Sequence, residues 1–147
     1  MTARQFNFWR KWLTLSNIMA VIAGLIVAFA GNSLLLEIHN DMTKESIFGG
    51  QDYSPEVMQL KNWLFGIIGG TIVGFHLLMI FISENAFKRK ERWGYFAMWI
   101  AMTSWFLIDS SLSIYFGALH NVLLINIGSY VLIIIPLIVN RKEFKVK

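Results

Sequence analysis

Asp109 is the residue of this sequence that most strongly suggests a chemical role. It is the only carboxylate well inside an apolar run, residues 93–117, which is long enough to cross a bilayer. An ionised side chain in the middle of a bilayer costs at least about 2.5 kcal/mol, so Asp109 is not expected to face lipid. We expect it to have a polar partner, a water-filled recess or a proton.

Depth in the membrane indicates which side chains can be partners of Asp109. Counted from the inner ends of their helices, Asp109 lies roughly 25 Å up its span and Asn126 roughly 22 Å up the next one. The turn between these spans is short, so we predict that the two side chains lie within hydrogen-bond or single-water distance. They should border a ligand-binding recess that opens outward under residues 37–55. The other side chains assigned to this outer level are Asn32, Trp105, Ser110, Ser113 and Asn121.

A second polar level is predicted nearer the inner side of the membrane. His76 lies only about 12 Å from the inner end of its span, close to the depth of Asn17. His76 and Asp109 are therefore not expected to be direct partners. For both levels the alternative to a functional site is interhelical hydrogen bonding, at about 0.6 kcal/mol per bond.

Several classes of chemistry have no support in the sequence. There is no cysteine, which excludes thiolate catalysis and Cys-ligated metal sites. His39, His76 and His120 fall on different segments, so no metal or haem site is predicted. Ser110, the first of the serines near Asp109, lacks a clear base, with His120 the nearest histidine in sequence. We predict no catalytic residues and no cofactor.

Composition and apolar runs define the fold class. The chain of 147 residues is 56% hydrophobic, above the usual share of a soluble domain. Residues 1–147 are predicted to form a single all-α domain, a four-helix transmembrane bundle built as two antiparallel hairpins. The predicted spans are residues 12–36, 63–83, 93–117 and 118–139, and residues 37–55 form an extracytoplasmic loop.

Local signals refine the first half of the chain. Residues 1–11 are predicted to be a short interfacial segment. Residues 28–30 resemble a signal-peptide cleavage site, but the apolar run resumes at residues 34–36, which favours a retained span. Ser54, Pro55 and Glu56 indicate a helix start, because they supply a cap, a proline at the first position and an acid in the first turn.

Two stripes of small residues predict close helix packing. Gly66, Gly70 and Gly74 recur every fourth residue, which is a double GxxxG pattern. They are expected to pack on the stripe of the first span that consists of Ala20, Gly24 and Ala28. The alternative for the glycines is a homodimer contact.

Basic residues predict the orientation in the membrane. Of the 13 Lys and Arg residues, 11 lie in the N-terminal segment, the turn after the second span and the C-terminal tail. Only Lys44 and Lys61 lie on the other side, with five of the nine acids. The positive-inside rule then places both termini in the cytoplasm, and we predict a bacterial inner membrane. The net charge of +4 is thus explained by orientation and contact with lipids, not by nucleic acid.

Three functions remain open from the sequence. The leading one is a small non-enzymatic membrane protein whose recess around Asp109 binds a small ligand, a lipid or a partner helix. The second is an oligomeric transporter or channel in which Asp109 binds a cation or proton. The third is a membrane-embedded lipid-modifying enzyme, which lacks a second catalytic group at the depth of Asp109. Membrane lipids, a second copy of the chain or another membrane protein are the expected partners.

Overall fold

The computed structural model describes residues 1–144 and contains helices joined by short turns, with no strand in that range. Four helices are long and apolar enough to cross a membrane: α1 (Ala3–Ala30), α3 (Pro55–Phe87), α4 (Arg92–Tyr115) and α5 (Leu119–Phe144). A single turn of 3-10 helix (Leu34–Leu36) and a short helix, α2 (Glu37–Phe48), connect α1 to α3. The predicted all-α class and the four spans are confirmed. We call the end that holds the start of α1 the inner end, and the end that holds α2 the outer end.

Side-chain caps determine where two of the spans begin. The Ser54 hydroxyl accepts a hydrogen bond from the Val57 amide at 3.3 Å, and Pro55 occupies the first turn, as predicted. At the start of α1, Thr2 and Gln5 form a capping box. Residues 3–11 therefore form the first turns of α1, so the predicted segment leads into the first span as part of the same helix. Phe6 in this stretch is buried against other helices.

Helix α2 lies within residues 37–55, which were predicted as a loop. It ends at Gly49, whose φ of 60° is the left-handed conformation that glycine adopts readily. No residue of α2 is buried, and its apolar side chains Ile38, Met42 and Ile47 are exposed. The helix escaped prediction because a core-facing apolar stripe, the main sequence signal for a helix, is missing.

The spans form two hairpins that meet through α1 and α5. Helix α1 packs most extensively against α3, and α4 packs against α5, while α1 also contacts the Ile127–Asn140 part of α5. Pro136 has no amide hydrogen, so the carbonyl of Leu132 lacks the usual helical donor four residues later. The indole Nε1 of Trp12 donates to that carbonyl at 3.0 Å and links α1 to α5.

The close approach of α1 and α3 occurs at Gly69, and the prediction based on the glycine stripe is wrong. A Cβ atom added at Gly66, Gly70 or Gly74 would have no neighbour within 4 Å. A Cβ at Gly69 would overlap the Gly24 carbonyl oxygen and lie 2.5 Å from the Ala28 nitrogen. Gly24 and Ala28 are thus packing residues as expected, whereas Ala20 is half-buried. The predicted stripe is rotated away from α1.

The hydrophobic core lies in the inner half of the bundle. Its largest fully buried side chains come from all four spans, and they include Leu13, Met79, Phe87, Met98 and Leu137. At the inner surface, Glu143 forms ion pairs with Lys90 and with the amino group of Met1. The basic segments up to Lys142 therefore meet at one end, and Lys145 and Lys147 lie outside the described residues.

Candidate functional site

The turn between α4 and α5 positions the cluster around Asp109. Asn126 Nδ2 donates to Asp109 Oδ1 at 2.7 Å, so the predicted contact is formed. Asn121 Nδ2 donates to the same oxygen at 2.8 Å, and Ser113 Oγ does so at 3.2 Å. Asn121 also donates to Ser113 Oγ at 2.9 Å. A carboxylate oxygen only accepts hydrogen bonds, and three donors converge on this one.

Two acceptor atoms of the cluster have no donor within the described chain. Asp109 Oδ2 accepts no hydrogen bond from residues 1–144, and it is not among the fully enclosed atoms that lack a partner. Asn126 Oδ1 is enclosed and has no partner in the same range, although Asn126 is only 1% exposed. The Asn126 amide is held in this orientation because its Nδ2 donates to both Asp109 and Ser110. The site therefore offers acceptors, and it would suit a group that brings N–H or O–H donors.

Of the three other residues predicted for the outer level, one belongs to the cluster and two do not. Ser110 belongs to the cluster, since its hydroxyl accepts from Asn126 at 3.1 Å. Trp105 is half-buried and packs against the hydrophobic core, so its contacts are those of a packing residue. Asn32 is not part of the cluster. It donates to Asn62 Oδ1 at 2.8 Å and accepts from Lys61 at 2.7 Å, on the α1–α3 hairpin.

Helix α2 lies against the α4–α5 turn, directly beside the cluster. The rings of His39 and His120 are 5.1 Å apart, and Thr43 Oγ1 is 2.9 Å from His120 Nε2. His120 thus pairs with a threonine of α2, and no serine of α4 hydrogen-bonds to it in the described structure. Burial, followed by the positive potential of His120, lowers the pKa of His39 below 6.5.

Two cavities occur at the outer end, and neither of them borders Asp109. One of about 300 Å³ lies between the end of α1 and α3, where Asn32, Asn62 and Phe65 line it. The other, of about 460 Å³, lies between α2 and the start of α3. The recess predicted beside Asp109 is therefore not one of these cavities, which both belong to the first hairpin.

The inner polar level contains the predicted pair and a second pair that sequence reasoning missed. His76 Nδ1 lies 2.7 Å from Asn17 Oδ1, and both side chains are buried. One to two turns further inward, Arg10 forms an ion pair with Glu84, which also accepts from Thr14 at 2.6 Å. The spacing of residues 10, 14 and 17 was a signal for these contacts, because it places all three side chains on one face of a helix.

The groups at these sites are hydrogen-bond donors and acceptors, and such groups can bind a ligand. Residues 1–144 contain no group of three or more His, Cys, Asp or Glu side chains that could hold a metal ion. The Asp109 cluster combines one carboxylate with amides and hydroxyls, which accept and donate hydrogen bonds but do not titrate near neutral pH. No family model matches the chain, and no curated protein or solved structure is significantly similar to it. The functional conclusion therefore depends on the geometry of the sites.

Proposed function

We propose that this protein is a non-enzymatic integral membrane protein that binds a cationic or hydrogen-bond-donating group at Asp109, near the outer surface of the membrane. The donor would belong to a small ligand, a lipid or a partner helix. The inner end, where the basic segments meet, would be cytoplasmic.

One observation carries the proposal. Asp109 Oδ2 has no donor in residues 1–144 and is not an enclosed atom, so a bound group can reach it. A hydrogen bond to a charged group contributes about 1.5–3 kcal/mol, which would favour a donor at this oxygen. The three donors to Asp109 Oδ1 hold the carboxylate in a fixed orientation, which reduces the ordering cost of binding.

The depth of the cluster agrees with a ligand that arrives from the outer side. Asp109 lies about 9 Å below the outer end of α4, at a rise of 1.5 Å per residue. A donor within the outer interface of the membrane reaches this level without crossing the hydrocarbon. Helix α2 and the pair of His39 with His120 lie on the same side, so they would lie beside the entry route.

Asp109→Asn is the discriminating variant. It keeps the shape and one acceptor oxygen for Asn121 and Asn126 but removes the charge, so we expect the fold to be retained and binding to be lost. Asp109→Leu removes every acceptor and should disturb both. The exposed acid Glu45 provides the matched control. Glu45→Gln also removes one negative charge, but at a position away from the cluster.

Two measurements identify the source of the donor. Native mass spectrometry of the purified protein detects retained lipids and small ligands, and cross-linking in the native membrane detects a partner helix. We expect at least one bound species to disappear in Asp109→Asn and to remain in Glu45→Gln. If all bound molecules and cross-links are the same in wild type and Asp109→Asn, the proposed binding role is wrong.

A further inference from the structure

The larger outer cavity is a second candidate binding site, independent of Asp109. It has a volume of about 460 Å³ and lies where the end of α1, helix α2 and the first turns of α3 meet. That volume is within the range of small-molecule sites in proteins. Its walls carry charges of both signs, and the six residues important here are Ser33, Glu37, Asn40, Asp41, Tyr53 and Lys61.

Lys61 supplies a positive charge that no carboxylate neutralises. Its Nζ donates to Asn32 Oδ1 at 2.7 Å and lies 5.6 Å from the centre of the Tyr53 ring. Among the described residues, no carboxylate oxygen is within 4.0 Å of this nitrogen. Lys44 in the same cavity differs, because Asp52 pairs with it. The ammonium of Lys61 is therefore available to an anionic group.

The opposite wall supplies acceptors. Glu37 and Asp41 line the cavity and form no ion pair in the part of the chain that the structure describes. Asn40 Oδ1 and Ser33 Oγ are enclosed and have no partner there. The orientation of the Asn40 amide is defined, since its Nδ2 donates to the Gly31 carbonyl at 2.9 Å. Of these acceptors, the carboxylates of Glu37 and Asp41 suit an ammonium group in the cavity that carries N–H donors.

The cavity also adjoins an apolar surface. Phe29 is 87% exposed, and Leu34 and Leu35 are 83% and 73% exposed. These residues flank Asn32 and Ser33 in the chain, at the outer end of a membrane-spanning helix. Apolar side chains at this level can contact acyl chains while the cavity contacts a headgroup.

We propose that this cavity binds a zwitterion of the phosphoethanolamine type, with the phosphate at Lys61 and the primary ammonium at Glu37 and Asp41. The same chemistry occurs in the headgroup of ethanolamine lipids and in free phosphoethanolamine. A trimethylammonium group has no N–H, so a choline headgroup could not donate hydrogen bonds to Glu37 and Asp41 and would bind more weakly. A headgroup without an ammonium would leave the two acids without a partner.

Lipid retention tests the proposal with three headgroups. The full-length protein is placed in nanodiscs of equal parts phosphatidylethanolamine, phosphatidylcholine and phosphatidylglycerol, and native mass spectrometry counts the lipids that stay bound. We expect enrichment of phosphatidylethanolamine. Lys61→Gln and Glu37→Gln should each lower this enrichment about tenfold, the loss expected for one charge-assisted hydrogen bond. Lys88→Gln and Glu45→Gln are matched controls, because both residues are exposed and lie outside the cavity.

A second arm distinguishes the two sources. In detergent without ethanolamine lipid, free phosphoethanolamine is titrated by calorimetry against wild type and the same variants. Lys61-dependent binding in this arm, without selective lipid retention, assigns the site to the free zwitterion and supports the proposal. The proposal would be overturned by preference for phosphatidylglycerol, by loss in the control variants, or by equal retention of the ethanolamine and choline lipids together with no Lys61-dependent binding of free phosphoethanolamine. A species that is lost in Lys61→Gln and kept in Asp109→Asn belongs to this cavity, and the reverse pattern assigns it to the Asp109 cluster, so the failure of one proposal does not imply failure of the other.

Discussion

Gly69→Ala and Gly70→Ala should have opposite consequences although the residues are neighbours in one helix. A Cβ at Gly69 would lie 2.5 Å from the Ala28 nitrogen and 2.6 Å from the Ala28 Cβ. Carbon atoms in contact are about 3.5–4.0 Å apart, so α1 and α3 would have to separate by roughly 1 Å. Such overpacking costs about 1–3 kcal/mol. A Cβ at Gly70 meets nothing within 4 Å.

The comparison isolates packing from helix propensity. Alanine is favoured over glycine in a helix by about 0.8–1.0 kcal/mol, and this gain applies to both variants equally. The free energy of unfolding should therefore be lower in Gly69→Ala than in Gly70→Ala by about 1–3 kcal/mol. Unfolding by SDS in mixed micelles measures this difference, with the fluorescence of the six tryptophans as the signal. Equal unfolding midpoints for the two variants would mean that the Gly24–Gly69 contact is not formed.

A substitution in the glycine stripe can distinguish packing within one chain from contact between two copies. Gly66, Gly70 and Gly74 have no neighbour at their Cβ positions, so the homodimer alternative remains a prediction for this stripe. Gly70→Leu should then leave the unfolding midpoint nearly unchanged. If the stripe joins two copies, the same variant should abolish cross-linked dimers in the membrane, whereas unchanged cross-linking would exclude that role.

Three further predictions concern orientation, the link between the hairpins and pH. Cysteines at positions 2 and 50 of this cysteine-free chain should react with impermeant reagents from opposite sides of the membrane, and reaction of both from outside would overturn the topology. Trp12→Phe leaves the Leu132 carbonyl without its donor and should cost about 1 kcal/mol. The cost should shrink in a Pro136→Ala background, where a backbone N–H is restored, and a double-mutant cycle in SDS measures this coupling. The pKa of His39 is lowered in the folded state, so the unfolded state binds more protons and stability increases with pH. The hydrogen-exchange protection factors of α2, which are corrected for the intrinsic pH dependence of exchange, should therefore fall as the pH falls below 6.5, and His39→Gln should remove most of that dependence.

The sequence alone determined the spans and one contact of the candidate site. Four long apolar runs leave few alternatives to four membrane helices, because backbone polar groups in hydrocarbon must pair within the helix. The pairing of Asp109 with Asn126 followed from depth, since a short turn fixes how two consecutive spans align. The start of α3 followed from the capping residues Ser54 and Pro55.

Only the tertiary structure decided which helix faces meet. The glycine stripe was assigned to the wrong face, and Asn32 joins Lys61 at the first hairpin instead of the Asp109 cluster. The ion pair of Arg10 with Glu84 was likewise not predicted. In water, an apolar stripe indicates which side of a helix is buried. In a bilayer the lipid-facing side is as apolar as the interior, so the sequence pattern gives depth but leaves the rotation of each helix about its axis undetermined.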